Sequence, residues 1–131
     1  MKASYTALVI DPTDRAVLLR AFPAPAGWTP YCHHMTCNMG GSENGPAAAM
    51  IGQKASATVV AFAQDEKVMA VQVESSVPSN NAVKHITVAV NRAAGGKPFQ
   101  SNSLKNWQPV QRVTVNGTVV EVGQGDVVIS H

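Results

Sequence analysis

The sequence has few charged residues, only two cysteines and no long hydrophobic run. Charged residues make up 14% of its 131 positions and the formal net charge is +2. The chain therefore lacks the dense Lys/Arg surface of a histone-like nucleic-acid binder, although a local positive pocket is compatible with this charge. No run of about 18 apolar residues is present, which excludes a transmembrane helix, and we expect no membrane partner. Because 45% of the residues are hydrophobic, a disordered chain is excluded and one folded domain over residues 1–131 is expected.

The amino terminus and the two cysteines indicate a reducing compartment. Residues 1–5 lead directly into a strand-like segment, with no long apolar stretch and cleavage site of a signal peptide, so the expected location is the cytoplasm.

Cys32 and Cys37 lie five apart on a predicted strand. An extended chain rises about 3.3 Å per residue, so their backbones are too far apart for a disulfide. We expect two buried free thiols on opposite faces of the strand.

Alternating apolar residues and turn signals predict a strand-rich chain with one helix. The helix begins at Asp11 and Pro12, because Asp is a favoured cap and Pro suits the first helical position, and it ends before Pro23. Asn116-Gly117, between alternating apolar residues, is the strongest hairpin signal of the chain. Together these features predict a compact, helix-poor α+β domain with an antiparallel or mixed sheet. The predicted strands are 5–10, 31–39, 55–63, 68–73, 84–91, the hairpin at 113–120, and 127–129.

Two short motifs of the same pattern, His34-Met35-Thr36 and His85-Ile86-Thr87, lie on predicted strands. Side chains alternate along a strand, so the His and the Thr of each motif share one face. The opposite face is apolar in both strands and suits burial in a core; it holds Met35, Cys37, Ile86, Val88 and Val90. Pairing the two strands across a groove would place two imidazoles and two hydroxyls around one point.

That constellation suits phosphodiester chemistry. A neutral imidazole accepts a proton from an attacking hydroxyl or water, and a protonated one donates a proton to the leaving oxygen. Two hydroxyls donate hydrogen bonds to non-bridging phosphate oxygens and stabilise the developing charge. The candidate catalytic residues are therefore His34, Thr36, His85 and Thr87. This chemistry needs no metal or other cofactor.

Several further residues are candidates for substrate binding. Trp28 and Tyr31 precede the first motif and are suited to stacking on a base, although packing is the alternative interpretation of both. Lys84, Lys97 and Arg92 lie near the second motif and would add positive potential. Lys97 and Ser101 belong to a glycine-bounded loop that either clamps a phosphate or is simply solvated.

A metal site is the alternative interpretation of the cluster Cys32, His33, His34 and Cys37. Strand alternation places Cys32 with His34 on one face and His33 with Cys37 on the other. Tetrahedral convergence on zinc would require the strand to break, and the spacing fits no familiar zinc pattern. We therefore expect no metal site, and we expect His33 to point away from His34.

The paired motifs resemble those of the two-histidine (2H) phosphoesterase superfamily, which includes LigT-like RNA phosphodiesterases, cyclic phosphodiesterase domains of tRNA ligases, and phage nucleases that destroy defence signals. Residues 5–22 and 96–102 are also similar to small RNA-repair members. The resemblance implies a bilobal, pseudo-symmetric sheet fold with a central cleft. It also implies that His34 and His85 form the acid/base pair, in either order, and that Thr36 and Thr87 bind phosphate.

The implied function is a metal-independent phosphodiesterase that acts on 2′,3′-cyclic phosphate RNA ends or nucleotides. One alternative is a phage-type nuclease that cleaves cyclic oligonucleotide signals in the host cytoplasm by the same chemistry. The other is a module that binds a nucleotide or RNA end without cleaving it. The sequence indicates neither the linkage that is cleaved nor the oligomeric state.

Overall fold

The computed structural model describes residues 3–43 and 45–130. The predicted domain of residues 1–131 thus includes four residues outside the described part, namely Met1, Lys2, Asn44 and His131. None of the described helices is long and apolar enough to cross a membrane. The described elements are β1 (Tyr5–Ile10), α1 (Pro12–Ala21), β2 (Thr29–Pro30), β3 (His34–Met39), β4 (Lys54–Gln64), β5 (Val68–Glu74), β6 (His85–Val90), β7 (Gln108–Val122) and β8 (Val128–Ser130), with 3₁₀ helices at Ala48–Met50, Arg92–Ala94 and Pro98–Ser103.

Six of the strands close into a ring. Hydrogen-bonded neighbours follow the order β1-β3-β6-β5-β4-β7, and β7 pairs again with β1. The short strands β2 and β8 extend the sheet beside β6 and β7. All of these pairings are antiparallel. The prediction of a compact, helix-poor antiparallel sheet is confirmed, whereas its closure into a six-stranded barrel is a feature that the sequence pattern did not indicate.

The main hydrophobic core is built from the inner face of this ring. Each of the six ring strands contributes buried side chains to it, and Leu18 of α1 joins them; the strand contributors include Leu8, Met35, Val59, Val71, Ile86 and Val119. Neighbouring residues of a strand point to opposite faces, so the residues that flank Met35 and Ile86 face away from this core. Both members of each sequence motif, the His and the Thr, are such flanking residues.

The helix prediction is confirmed in position but not in its cap. Pro12 opens α1, as expected from its preset φ. Asp11 makes no side-chain cap bond; its carboxylate lies 3.3 Å from Nζ of Lys54 instead. Leu18 is fully buried in the main core, while Phe22 is partly buried against it.

The predicted hairpin at Asn116-Gly117 is wrong. Both residues lie inside β7, which runs without a turn from Gln108 to Val122. Glycine is required there because β1 passes close by: a Cβ at Gly117 would clash with the carbonyl oxygen of Val9. The backbone and side-chain amides of Asn116 donate to the carboxylate of Asp14 in α1, at 2.7 and 3.2 Å. A glycine in a strand marks the close approach of another backbone as readily as it marks a turn.

This contact gives a first prediction. Gly117→Ala should lower the free energy of unfolding by about 1–3 kcal/mol, because the new methyl group forces β1 and β7 apart. Urea denaturation measures the change. Gln111→Ala, at an exposed position of the same strand, is the control and should alter stability by less than about 0.5 kcal/mol. Equal stability of the two variants would contradict the close-approach explanation.

Candidate active site

The two His-x-Thr motifs line a single pocket. The pocket has a volume of about 510 Å³ and opens on the outer face of β3 and β6. All four motif side chains, His34, Thr36, His85 and Thr87, contribute to its wall. Its other described lining residues are Tyr5, Tyr31, His33, Asn38, Met39, Asn80, Asn81, Pro98, Phe99, Asn102 and Asp126.

The register between β3 and β6 brings the motifs together. The strands are antiparallel, and Met35 pairs with Ile86, the middle residues of the two motifs. Continuing this register by one residue places Thr36 beside His85. Both middle residues are fully buried in the main core, so their neighbours are directed into the pocket. The predicted division into an apolar and a His/Thr face is therefore confirmed around both motifs, where Cys37 and Val88 also join the main core. It is wrong for Val90, which lies in a separate cluster because the register between β5 and β6 shifts nearby.

A bulge before β3 changes the predicted position of His33. The expected strand at 31–39 begins only at His34, because Cys32 has a positive φ of 51°. The backbone nitrogen of Cys32 donates to the carbonyl of Thr87 at 3.0 Å, and the next residue in register with β6 is Met35. The two histidines between them have no register partner on β6. Both therefore line the pocket, and the prediction that His33 points away from His34 is wrong, since alternation does not hold across a bulge.

A chain of polar contacts supports the ring of His34. Its Nδ1 lies 2.9 Å from Nδ1 of His33 and 3.4 Å from the hydroxyl of Tyr5. That hydroxyl donates to Oδ1 of Asp126 at 2.7 Å, and the Tyr5 and His34 rings are 4.6 Å apart. Because the only hydroxyl proton of Tyr5 is directed to Asp126, its oxygen is an acceptor for His34. In the tautomer with a proton on Nδ1 of His34, Nε2 is its basic nitrogen; in the other, Nδ1 of His33 donates to Nδ1 of His34.

The surroundings of His34 favour its neutral form. Burial lowers its pKa to about 4, with the nearby His33 and His85 acting in the same direction and the Asp126 carboxylate opposing them. Burial likewise lowers the pKa of His33, against the raising effect of Asp126. Burial and the Asp126 hydrogen bond raise the pKa of Tyr5, so the phenol stays protonated and keeps its bond to the carboxylate.

The second motif, His85-Ile86-Thr87, is held by a backbone carbonyl and by the 3₁₀ helix Pro98–Ser103. Nδ1 of His85 donates to the backbone carbonyl of Val83 at 2.8 Å, which orients its Nε2 as the free nitrogen. Burial lowers the pKa of His85, but the hydrogen bond to Val83 raises it. The hydroxyl of Thr87 is 2.8 Å from that of Ser101 and 3.4 Å from the carbonyl of Pro98. The 3₁₀ helix Pro98–Ser103 thus positions Thr87 from outside the barrel.

The structure brings together some of the predicted substrate-binding residues and not others. Tyr31 lines the pocket, and Ser101 is buried behind Thr87. Trp28 packs against the main core instead. Nζ of Lys84 donates to the carbonyl of Ser75 at 2.7 Å. Neither Trp28 nor Lys84 is among the lining residues, and the side chain of Lys97, although exposed, is not among them either. A role for Lys97 in binding substrate stays a prediction.

Sequence reasoning missed several residues of the wall. Asn38 follows Thr36 by two positions on β3, so strand alternation was sufficient to find it. Phe99 is 66% exposed and lies in the loop after the second motif, where an exposed aromatic is a sign of recognition. Tyr5 and Asp126 carry no such signal, because only the folded chain brings β1 and the turn before β8 beside His34.

The cysteines lie apart from the polar wall. Cys32 and Cys37 are free and fully buried in the main core, as predicted. They share this one cluster, although strand alternation placed them on opposite faces; the bulge explains the difference. Burial raises their pKa values to about 12 and about 11, which makes them poor nucleophiles and ligands. Within residues 3–43 and 45–130, no group of three or more His, Cys, Asp or Glu side chains is placed to hold a metal ion.

A comparison with known families identifies the family of the chain. The family model of the fungal tRNA ligase phosphodiesterase domain matches residues 20–129, and the chain belongs to this family, which is of the 2H phosphoesterase type. Membership supports an activity of the 2′,3′-cyclic phosphodiesterase type in general. No match was found among curated proteins or among solved structures.

The buried histidines predict how stability depends on pH. A histidine whose pKa is lower in the folded state binds fewer protons there than in the unfolded chain, so stability falls as the pH drops below about 6.5, the unfolded value. For His34 the loss continues to about pH 4. One such group contributes a slope of at most about 1.4 kcal/mol per pH unit.

Urea denaturation between pH 5 and 7 measures this slope. His34→Asn should reduce the slope by up to about 1.4 kcal/mol per pH unit, the contribution of one proton. The reason is that it removes the group with the strongly lowered pKa. Lys54→Gln, at an exposed site away from the pocket, is the control. An unchanged slope in the His34 variant would show that this imidazole is not held neutral by folding.

Proposed function

We propose that the protein is a metal-independent phosphodiesterase that opens 2′,3′-cyclic phosphates at RNA ends. The observation that carries this proposal is the placement of both complete His-x-Thr pairs around one pocket of about 510 Å³. Membership of the phosphodiesterase-domain family supports the type of reaction. The volume lies within the usual range for a small-molecule site and suits a terminal nucleotide.

In the proposed reaction, a neutral imidazole takes a proton from water as the water oxygen bonds to phosphorus. The bond from phosphorus to one ribose oxygen breaks, and the second, protonated imidazole gives its proton to that oxygen. The products are a phosphate monoester on one ribose oxygen and a free hydroxyl on the other. The hydroxyls of Thr36 and Thr87 donate to the non-bridging oxygens, where negative charge grows.

The surroundings of the two histidines favour one assignment of these roles. His34 is the proposed base, because burial and the adjacent His33 oppose its protonation. In this role its proton lies on Nδ1, which contacts Tyr5 and His33, and Nε2 accepts the proton from water. His85 is the proposed acid, because the carbonyl of Val83 stabilises its protonated form. The two side chains thus divide the acid and base work through their environments.

The pocket is also our candidate for the central cleft of a bilobal fold. It is flanked by two small apolar clusters that are separate from the main core, and each includes or packs against a lining tyrosine, Tyr5 in one and Tyr31 in the other. Phe99 stands exposed at the pocket and is the proposed stacking surface for the terminal base. It takes the role that the sequence suggested for Trp28.

Activity of purified protein in EDTA tests the proposal. We expect turnover of a 2′,3′-cyclic mononucleotide and of an RNA oligomer with a cyclic phosphate end. His34→Ala and His85→Ala should each lower kcat at least about 100-fold, the usual contribution of a general acid or base. Thr87→Val should lower kcat/KM, whereas Thr114→Val, at an exposed site on β7, is the matched control. Circular dichroism checks that each variant is folded.

The same panel separates the alternatives. It includes 2′,5′- and 3′,5′-linked cyclic oligonucleotides, which would be the preferred substrates of a signal-destroying nuclease. Tight binding of a cyclic-phosphate end that is recovered unchanged would indicate a module without catalysis. Full activity of either histidine variant, or activity lost in EDTA and restored by a divalent metal, would contradict the mechanism.

The role of His34 as base predicts opposite pH shifts in two neighbouring variants. Asp126→Asn keeps an acceptor for the Tyr5 hydroxyl but removes the charge that raises the pKa of His34. The acid limb of the kcat/KM profile, where the base becomes protonated, should therefore move to lower pH. His33→Asn removes a group that lowers the same pKa, so this limb should move to higher pH. Movement of the alkaline limb instead would assign His34 as the acid.

A further inference from the structure

Two arginines converge on one residue at the edge of the pocket. Tyr31 lines the pocket, and the guanidinium of Arg92 lies 5.8 Å from the centre of its ring and donates to its hydroxyl. Nε of Arg15 in α1 donates to the backbone carbonyl of the same residue at 2.6 Å. Neither arginine is among the described lining residues, so both are connected to the pocket through Tyr31.

Both guanidinium groups donate to uncharged oxygen atoms of Tyr31, the backbone carbonyl for Arg15 and the hydroxyl for Arg92. In the described part of the chain, the ion pairs are Lys54 with Asp11 and Arg112 with Glu74, and neither Arg15 nor Arg92 takes part in one. Each guanidinium carries five N–H donors in a fork that matches phosphate. The bonds to Tyr31 orient both groups and leave further donors for an anion.

The opposite side of the pocket carries negative charge. Asp126 lines the wall beside Tyr5. A second pocket, of about 620 Å³, adjoins there and shares Asn38, Met39 and Asn80 with the first. Its described lining includes the carboxylate of Glu43. A polyanion that leaves the catalytic pocket is repelled on this side and attracted on the side of Tyr31.

We propose that Arg15, Tyr31 and Arg92 form a binding site for the backbone phosphate next to the terminal cyclic phosphate, so that the protein acts on the end of an RNA strand in preference to a free cyclic nucleotide. This inference rests on the proposed function. A free 2′,3′-cyclic nucleoside phosphate has no second phosphate and leaves both arginines unused. An RNA end presents one, a single nucleotide upstream of the reacting phosphorus.

Three substrates with the same terminal base isolate this contact. The first is a 2′,3′-cyclic mononucleotide with a free 5′-hydroxyl, the second carries a 5′-phosphate, and the third is a trinucleotide with a 2′,3′-cyclic end. We expect the 5′-phosphate alone to raise kcat/KM about tenfold, as one charge-assisted hydrogen bond does. The trinucleotide should give at least that gain. If kcat/KM rises for the trinucleotide but not for the 5′-phosphorylated mononucleotide, the gain comes from base stacking and the proposal is overturned.

The variants Arg15→Gln, Arg92→Gln and their combination test the residues. In the double variant, the ratio of kcat/KM for the phosphorylated to the unphosphorylated mononucleotide should fall about tenfold, towards one. The salt dependence of trinucleotide turnover should also weaken, by about 0.7 in the slope of log kcat/KM against log salt for one phosphate. Arg20→Gln, exposed on α1, is the matched control and should keep both the ratio and the slope of the wild-type protein.

The outcomes separate this inference from the proposed function. If wild-type protein turns over neither mononucleotide nor trinucleotide, the proposed function fails, and binding of a fluorescent 3′-phosphorylated RNA trinucleotide is measured instead. Weaker binding in the Arg15 and Arg92 variants but not in the Arg20 variant would still support the site. Turnover with an unchanged substrate ratio in the double variant, or unchanged binding, would overturn it.

Discussion

The pairing of Met35 with Ile86 is the constraint on which the site depends. These two residues are the middle positions of the two motifs, and both are fully buried in the barrel core. Since side chains alternate along a strand, burying them directs the His and Thr of each motif to the outer face. The hydrophobic core therefore sets the spacing of the polar groups. A slip of β3 by one residue in this register would turn His34 and Thr36 into the core and cost both stability and the site.

The two histidines are alike in sequence but unlike in their surroundings. His34 is the first residue of β3, directly after the bulge, and is contacted by His33 and by Tyr5, which connects it to Asp126. His85 is the first residue of β6 and is held by one backbone carbonyl. The bulge produces this asymmetry, because it adds a second imidazole on one side of the pocket. A pair that must act as acid and base benefits from such a difference, since identical environments would give both groups the same protonation state.

The parts of the molecule that follow strand alternation were predictable from the sequence. The faces of the four motif residues required only the period of two and an apolar back face. The burial of the two cysteines was predicted as well, but their place in one cluster was not, because the bulge interrupts the alternation between them. The parts that depend on close approach were not predictable. Gly117 reads as a turn until β1 is placed against it, and the left-handed Cys32 interrupts a segment whose composition is that of a strand. Tyr5 and Asp126 meet across 121 positions of sequence, a contact that no local pattern carries.

The distribution of charge around the pocket bears on how the proposed reaction acquires its proton. Among the described lining residues there is no lysine or arginine, so in the proposed reaction the phosphate would be bound by the histidines and threonines themselves. Burial lowers the pKa of both imidazoles, whereas the mechanism needs one of them protonated. A neighbouring anion favours the charged form of an imidazole. A cyclic phosphate bound between the motifs would therefore raise the pKa of the histidine that it contacts. The substrate itself would in this way help to protonate the general acid. The arginines beside Tyr31 are not lining residues of the pocket. In the proposal they bind the neighbouring backbone phosphate and do not compete with the imidazolium for the cyclic phosphate.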